Sequence, residues 1–317
     1  GERCAVAAGP LAGNLNSWQV ARDMDAVRAA VGERELNYYG NSYGTMFAQA
    51  YAEFFPNRVG RMYLDSVIDH TRTSIRQWLK PRAETEERGL HRFAEWCAAD
   101  AGCALHGQEV LQVWDEVMAR AERDPIPAPG AGPGVTVDPS TIASRAHTTF
   151  PDIWAPLAQA LADARNGDAT WFTVVGGARD PDLSRIMFCG DFPYPTEYPE
   201  VKQLENELRR IAPRIGWRSA WPMANHCAGL PKTGTFPQHP FRTAGLPPIL
   251  VVNGDHDSTT PPEDGRHLVA QWPGARYLRV PAGHAVYFSG NPCVRGHVHR
   301  YLTTGVLPAA GTVCAAD

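Results

Sequence analysis

The sequence predicts an α/β chain: a mostly parallel sheet interrupted by a long, mainly helical insertion. Three observations predict it. The strand-like run Glu35-Leu36-Asn37-Tyr38-Tyr39 turns directly into a helical stretch at 45–55, and a second strand follows at 59–64. A continuous apolar run at 246–252 then opens a strand, helix, strand and helix series near the C-terminus. Unbroken apolar runs suit strands covered on both faces, and strand–helix alternation is the mark of the α/β class. Between these stretches, from about 70 to 238, the pattern has helical periods only, so the expected boundaries are 1–69 (core), 70–239 (insertion) and 240–317 (core).

Taken in order, residues 16–31 read as one helix. Asn16 can cap it, Gln19 occupies the third helical position, and Val20, Met24, Val27 and Val31 fall on an apolar stripe that Gly32 ends. The helix at 45–55 carries Phe47, Ala50, Tyr51 and Phe54 on its packed side and stops at Pro56. In the insertion, 75–100 and 109–123 are amphipathic through Trp78, Leu90, Phe93, Trp96, Val110, Val113 and Val117. A Pro/Gly loop at 125–134 separates them from a helix at 153–165. Insertions of this length between core strands commonly form a cap that shapes a substrate pocket. Beyond 252 come a helix at 263–271, a strand at 276–280 and a closing helix at 285–302.

The 317 residues are 44% hydrophobic and 20% charged, with a net charge of -4 and no basic cluster. That composition belongs to a globular chain without the electrostatic footprint for nucleic acid or an acidic membrane surface, and no apolar run reaches bilayer length. The seven cysteines lack zinc spacing, and His297 and His299 read as residues of a solvated helix face, so no metal is expected. Cys97 with Cys103, Cys189 with Cys227 and Cys293 with Cys314 are positioned to form disulfides, leaving Cys4 over for a partner elsewhere. Reduced, buried cysteines are the alternative.

The chemistry centres on Gly40-Asn41-Ser42-Tyr43-Gly44, between a strand and a helix. This is the nucleophile elbow of an α/β-hydrolase fold: a turn tight enough to demand glycine around a serine lifted to the top of a sheet. In that fold the acid and then the histidine follow the serine, each on a loop leaving a strand. Both loops are present: Gly254-Asp255-His256-Asp257-Ser258-Thr259-Thr260-Pro261 after the strand ending at Val252, and Gly283-His284 after the one ending at Val280. His284 is the expected base. Asp255 and Asp257 share the acid loop; Asp257, further from the strand end, is the expected partner, and Asp255 reads as a turn residue. Only 41 residues precede Ser42, and none resembles a glycine-rich oxyanion loop. The sheet is therefore expected to be incomplete in its N-terminal half, with a separate N-terminal polypeptide segment as the partner that completes it.

Four segments resemble the tripeptidyl aminopeptidase branch of the α/β hydrolases, which includes secreted actinobacterial members. They are Val20-Ala21-Arg22-Asp23-Met24-Asp25-Ala26-Val27-Arg28-Ala29-Ala30, the elbow from Tyr39 to Thr45, Phe55-Pro56-Asn57-Arg58-Val59 through Asp65, and Gly254-x-x-Asp257-x-x-Thr260-Pro261. The resemblance implies a Ser42, Asp257 and His284 triad, an oxyanion N–H from Tyr43, a supporting role for Thr260, no cofactor, and a secreted or extracytoplasmic location.

Release of tripeptides from free N-termini would need a carboxylate for the substrate ammonium. Asp191, beside Cys189, is the first candidate, with Glu197 and Glu200 next. The alternatives are an esterase, lactonase or amidase with the same triad, or a non-catalytic hydrolase-like fragment.

Overall fold

The computed structural model describes residues 1–173, 181–194, 197–230, 236–242 and 245–316. Its strands are β1 (Leu36–Asn41), β2 (Val59–Asp65), β3 (Ile126–Pro127), β4 (Thr136–Val137), β5 (Leu250–Gly254) and β6 (Arg276–Val280). β1, β2, β5 and β6 form one parallel sheet in the order β1-β2-β5-β6. β3 lies within the expected Pro/Gly loop at 125–134 and pairs antiparallel with β4 just beyond it.

Two compact units result. The first comprises residues 1–82, 180–201 and 221–317 and contains the parallel sheet; the second comprises 83–179 and 202–220. Of the stretch 70–239, residues 70–82, 180–201 and 221–239 thus group with the sheet.

In the first unit one core holds Ala48, Tyr51, Met62, Leu64, Val251, Leu268 and Trp272, and another holds Tyr63, Val252, Leu278, Val286 and Val298. Neighbouring sheet positions such as Tyr63 and Leu64 alternate between the two cores, as strand geometry requires. The second unit packs around Leu90, Phe93, Trp114, Val117, Leu157 and Phe172. Disulfides join Cys97 to Cys103, Cys189 to Cys227 and Cys293 to Cys314. Because the last pair occupies both sulfurs, the neighbouring His297 gains no thiolate co-ligand for a metal. No described helix is long and apolar enough to cross a membrane.

Two expectations need correction. The helix Ser17–Ala30 is capped as predicted, Asn16 Oδ1 accepting the Gln19 N–H at 2.9 Å. Its packed face is different, however: Ala21 is fully buried, Trp18 and Met24 pack against the same core, and Val27 and Val31 are exposed. A polar cluster accounts for the rotation. Asp25 accepts from Arg28 at 2.9 Å and from the Tyr51 hydroxyl at 3.1 Å, and pairs with Arg58, drawing charged positions inward. The closing helix is also not continuous: a 3-10 turn at Val286–Ser289 precedes the α-helix Pro292–Thr304. Gly290, at φ 95°, separates them, and Asn291 caps the helix through the Val294 N–H.

Candidate active site

Strain marks the region. Among the described residues, three non-glycines have positive φ: Ser42 at 52°, Ser66 at 57° and Ala285 at 61°. Ser42 follows directly on β1, Ser66 on β2, and Ala285 lies in the loop after β6. Left-handed backbone at non-glycine residues persists only where surroundings over-determine it, and it clusters at functional sites.

The elbow forms where β1 gives way to the helix Gly44–Phe54. A Cβ on Gly40 would meet the Gly44 carbonyl oxygen at 2.8 Å, so the turn needs glycine there. At Gly44 a Cβ would meet only the tip of Tyr38, at 3.3 Å, a lesser demand. The Ser42 N–H donates to the Asp65 carbonyl at 2.9 Å. The Thr45 hydroxyl donates to the Ser42 carbonyl at 2.7 Å and accepts the Ile68 N–H at 3.0 Å, tying the elbow to the loop after β2. Tyr43 holds the N-cap position of the helix that follows.

The acid loop separates the two aspartates. Asp255 turns outward into ion pairs with Arg279 at 2.7 Å and Arg266 at 3.2 Å. Asp257 is fully buried. Its Oδ1 accepts the main-chain N–H groups of Thr259 (2.9 Å) and Thr260 (3.0 Å), and its Oδ2 accepts the Thr260 hydroxyl. His284 Nδ1 lies 2.7 Å from the same Oδ2, in donating position. An Asp-bound Nδ1–H leaves Nε2 as the acceptor nitrogen, the tautomer a general base needs.

Several supporting contacts carried no recognisable sequence signal, although Gly254 itself stands in the Gly254-x-x-Asp257 motif. A Cβ on Gly254 would lie 2.2 Å from the carbonyl oxygens of both Ala282 and Gly283, so the histidine loop crosses β5 at main-chain distance. The His256 N–H donates to the Ala282 carbonyl at 3.0 Å. Buried Asn253 donates to the Thr260 carbonyl at 3.0 Å and the Val67 carbonyl at 3.2 Å. Asparagine at a strand end and glycine after it look like ordinary turn residues; only the close crossing explains them.

Of the expected ammonium ligands, Glu197 and Glu200 are exposed. Asp191, the first candidate to bind a substrate ammonium, is instead engaged within the protein. Asp191 is fully buried, and its oxygens accept the Ser17 N–H (2.7 Å), the Ser17 hydroxyl (2.7 Å) and the Tyr43 hydroxyl (2.6 Å). Burial pushes its carboxyl up, against these hydrogen bonds. Burial, reinforced by the Asp191 charge, likewise keeps the Tyr43 phenol protonated.

A family model described as "alpha/beta hydrolase fold" matches residues 4–119, and one described as "TAP-like protein" matches 212–314. The chain has the α/β-hydrolase fold. Its sequence is similar to tripeptidyl aminopeptidases and related hydrolases. It is 30% identical, over 99% of its length, to a tripeptidyl aminopeptidase of Streptomyces lividans, and 29% identical, over 95%, to serine protease Hip1 of Mycobacterium tuberculosis. Identity to a carboxylesterase B of Mycobacterium tuberculosis is also 29%, over 95%. The chain spans 61% to 62% of the length of these relatives.

Proposed function

We propose that the protein is a serine hydrolase, an exopeptidase releasing short peptides, tripeptides foremost, from free N-termini. The observation that carries this reading is the buried Asp257–His284 hydrogen bond, on the same sheet as a serine held in a strained elbow. Ser42 Oγ attacks the scissile carbonyl as His284 Nε2 takes its proton, while Asp257 holds Nδ1 and stabilises the imidazolium. The oxyanion is received by the Tyr43 main-chain N–H at the start of the Gly44–Phe54 helix, where the dipole favours negative charge. His284 then protonates the leaving amine, and water, deprotonated by the same imidazole, releases the acyl group. No step calls for a metal or cofactor. A substrate ammonium would find exposed carboxylates at Glu197 and Glu200.

The tripeptide preference draws on the relatives named tripeptidyl aminopeptidase. The relative named carboxylesterase B favours a second reading, an esterase with the same triad. A panel of tripeptide anilides and short acyl esters separates them. Turnover of tripeptide anilides is expected; ester turnover without peptide turnover would overturn the exopeptidase reading.

Three disulfides suit folding in an oxidising, extracytoplasmic compartment. Secretion is part of the same proposal. So is a further polypeptide segment along the outer edge of β1, which pairs only with β2 among the described residues. Parallel sheets are normally covered on both faces and their strands flanked. Slow hydrogen exchange at the outward amides of Leu36–Asn41 in the full-length protein is the expected result, and rapid exchange there would contradict it.

A further inference from the structure

The end of β2 carries a buried carboxylate that the proposed chemistry does not use. Asp65 is fully buried, and its side chain accepts four hydrogen bonds. Two come from main-chain N–H groups just beyond His284, Val286 at 3.0 Å to Oδ1 and Tyr287 at 2.8 Å to Oδ2. The others come from the hydroxyls of Ser66 (3.0 Å) and Tyr63 (3.1 Å). Ser66 Oγ in turn accepts the Ala285 N–H at 2.9 Å. Three consecutive amides after His284 are thus held by two adjacent residues of another strand end. Both Ser66 and Ala285 sit in left-handed backbone, so the fastening holds a strained chain path in place. The same two residues also reach the elbow and β5: the Ser42 N–H donates to the Asp65 carbonyl, and the Ser66 N–H to the Val252 carbonyl at 2.7 Å.

We propose that Asp65 and Ser66 are positioning residues that set the placement of His284 relative to Ser42, Asp65 fastening the elbow through its carbonyl and the histidine loop through its carboxylate. A burial as complete as this one is tolerated for a carboxylate because every acceptor site is filled. The shape of the loop then depends on acceptors that only an unprotonated carboxylate and a hydroxyl supply. Asparagine at 65 would set an amide NH2 against a main-chain N–H, releasing one of the two amides while keeping the volume. Glycine at 66 suits the left-handed backbone and removes the hydroxyl together with its methylene. Neither side chain touches substrate, so the effect should appear in the chemical step rather than in binding.

This inference rests on the serine-hydrolase reading, and the test separates the two. Asp65→Asn and Ser66→Gly are made in the full-length protein. For each, fluorophosphonate labelling of Ser42, in which Oγ displaces fluoride from phosphorus, is followed against pH, kcat and KM are measured on the best substrate of the panel, and melting is recorded. Displacing a catalytic group by about 1 Å costs up to ~10²-fold in rate. We expect losses of about 10²-fold for Asp65→Asn and about tenfold for Ser66→Gly in phosphonylation rate and kcat. KM should be unchanged, and the acid limb of the pH profile shifted, in protein that is still folded. Variants that lose only melting temperature, with wild-type rates and profile when folded, overturn the inference and leave the hydrolase reading standing. Should Asp65→Asn fail to fold, Ser66→Gly decides by the same criteria. A wild-type protein unlabelled at Ser42 would overturn both.

Discussion

At the scale of single residues, the site works by exhausting the hydrogen-bonding capacity of buried carboxylates. Asp257 receives two main-chain amides, one hydroxyl and the imidazole, so its position is settled before any substrate arrives. Replacing it with asparagine keeps the volume but favours the wrong imidazole tautomer. Asp257→Asn should lower kcat by ~10⁴-fold with little change in melting temperature, as seen by steady-state kinetics beside thermal unfolding. His70 illustrates the opposite electrostatic case. It is buried, stacks on Phe236 with ring centroids 4.0 Å apart, and lies 3.1 Å from the Asp191 carbonyl. Burial lowers its pKa from 6.5 to about 4, outweighing that hydrogen bond. The unfolded chain therefore takes up a proton near pH 6.5 that the folded chain refuses until about pH 4. The associated stability is complete above pH 6.5 and is lost as pH falls toward 4, about 3 kcal/mol in all. Denaturant melts across that window should show a steeper loss for wild type than for His70→Gln; parallel curves would contradict the assignment. The Asp257–His284 contact was legible in the sequence because Asp257 lies far enough past a strand end to reach a neighbouring loop. Asp65 was not, because an aspartate closing a strand looks like any turn residue and its partners lie 221 and 222 positions away.

At the scale of elements, close main-chain crossings and one buried ion network hold the loops to the sheet. Gly254 lets the histidine loop pass against β5, and Gly254→Ala should destabilise the fold by about 1–3 kcal/mol while displacing His284. Urea unfolding and acylation kinetics should fall together; a stable, fully active variant would show that the crossing does not matter. Beneath the acid loop, Arg82 donates to the Thr259 carbonyl at 3.2 Å and pairs with fully buried Asp264 at 3.0 Å. Arg72 joins Asp264 (3.4 Å) to Asp69 (3.0 Å). Removing Arg82 leaves buried Asp264 with the longer Arg72 contact, so Arg82→Ala should cost about 3 kcal/mol by chemical denaturation. The four strands of the parallel sheet and the helices between them were readable from apolar period, whereas the β3–β4 hairpin was not. The packed face of Ser17–Ala30 was not, since the Asp25 cluster outweighed two valines. Nor was the break at Gly290, where an asparagine cap and a proline restart the helix within a stretch that otherwise reads as continuous.

At the scale of the molecule, four parallel strands bring together residues that lie far apart in sequence. Ser42 follows β1, Asp65 and Ser66 end or follow β2, Asp257 follows β5 and His284 follows β6. That order was legible because each motif sits at a strand's C-terminal end, where the sheet must present it on one edge. The division of the chain was less so. Residues 180–201 and 221–239 look as helical and irregular as the rest of the insertion, but they group with the sheet, partly through Asp191 reaching Ser17 and Tyr43. Contacts across so many residues leave no trace in local periodicity. The account's central claim is that Ser42, His284 and Asp257 act as one acylating unit. Its most direct test is intact-mass and peptide-mapping analysis of the full-length protein after fluorophosphonate treatment, beside His284→Ala and Asp257→Asn. A single adduct on Ser42, formed far more slowly in either variant, is the predicted result. An adduct elsewhere, or Ser42 labelling that ignores both substitutions, would contradict it.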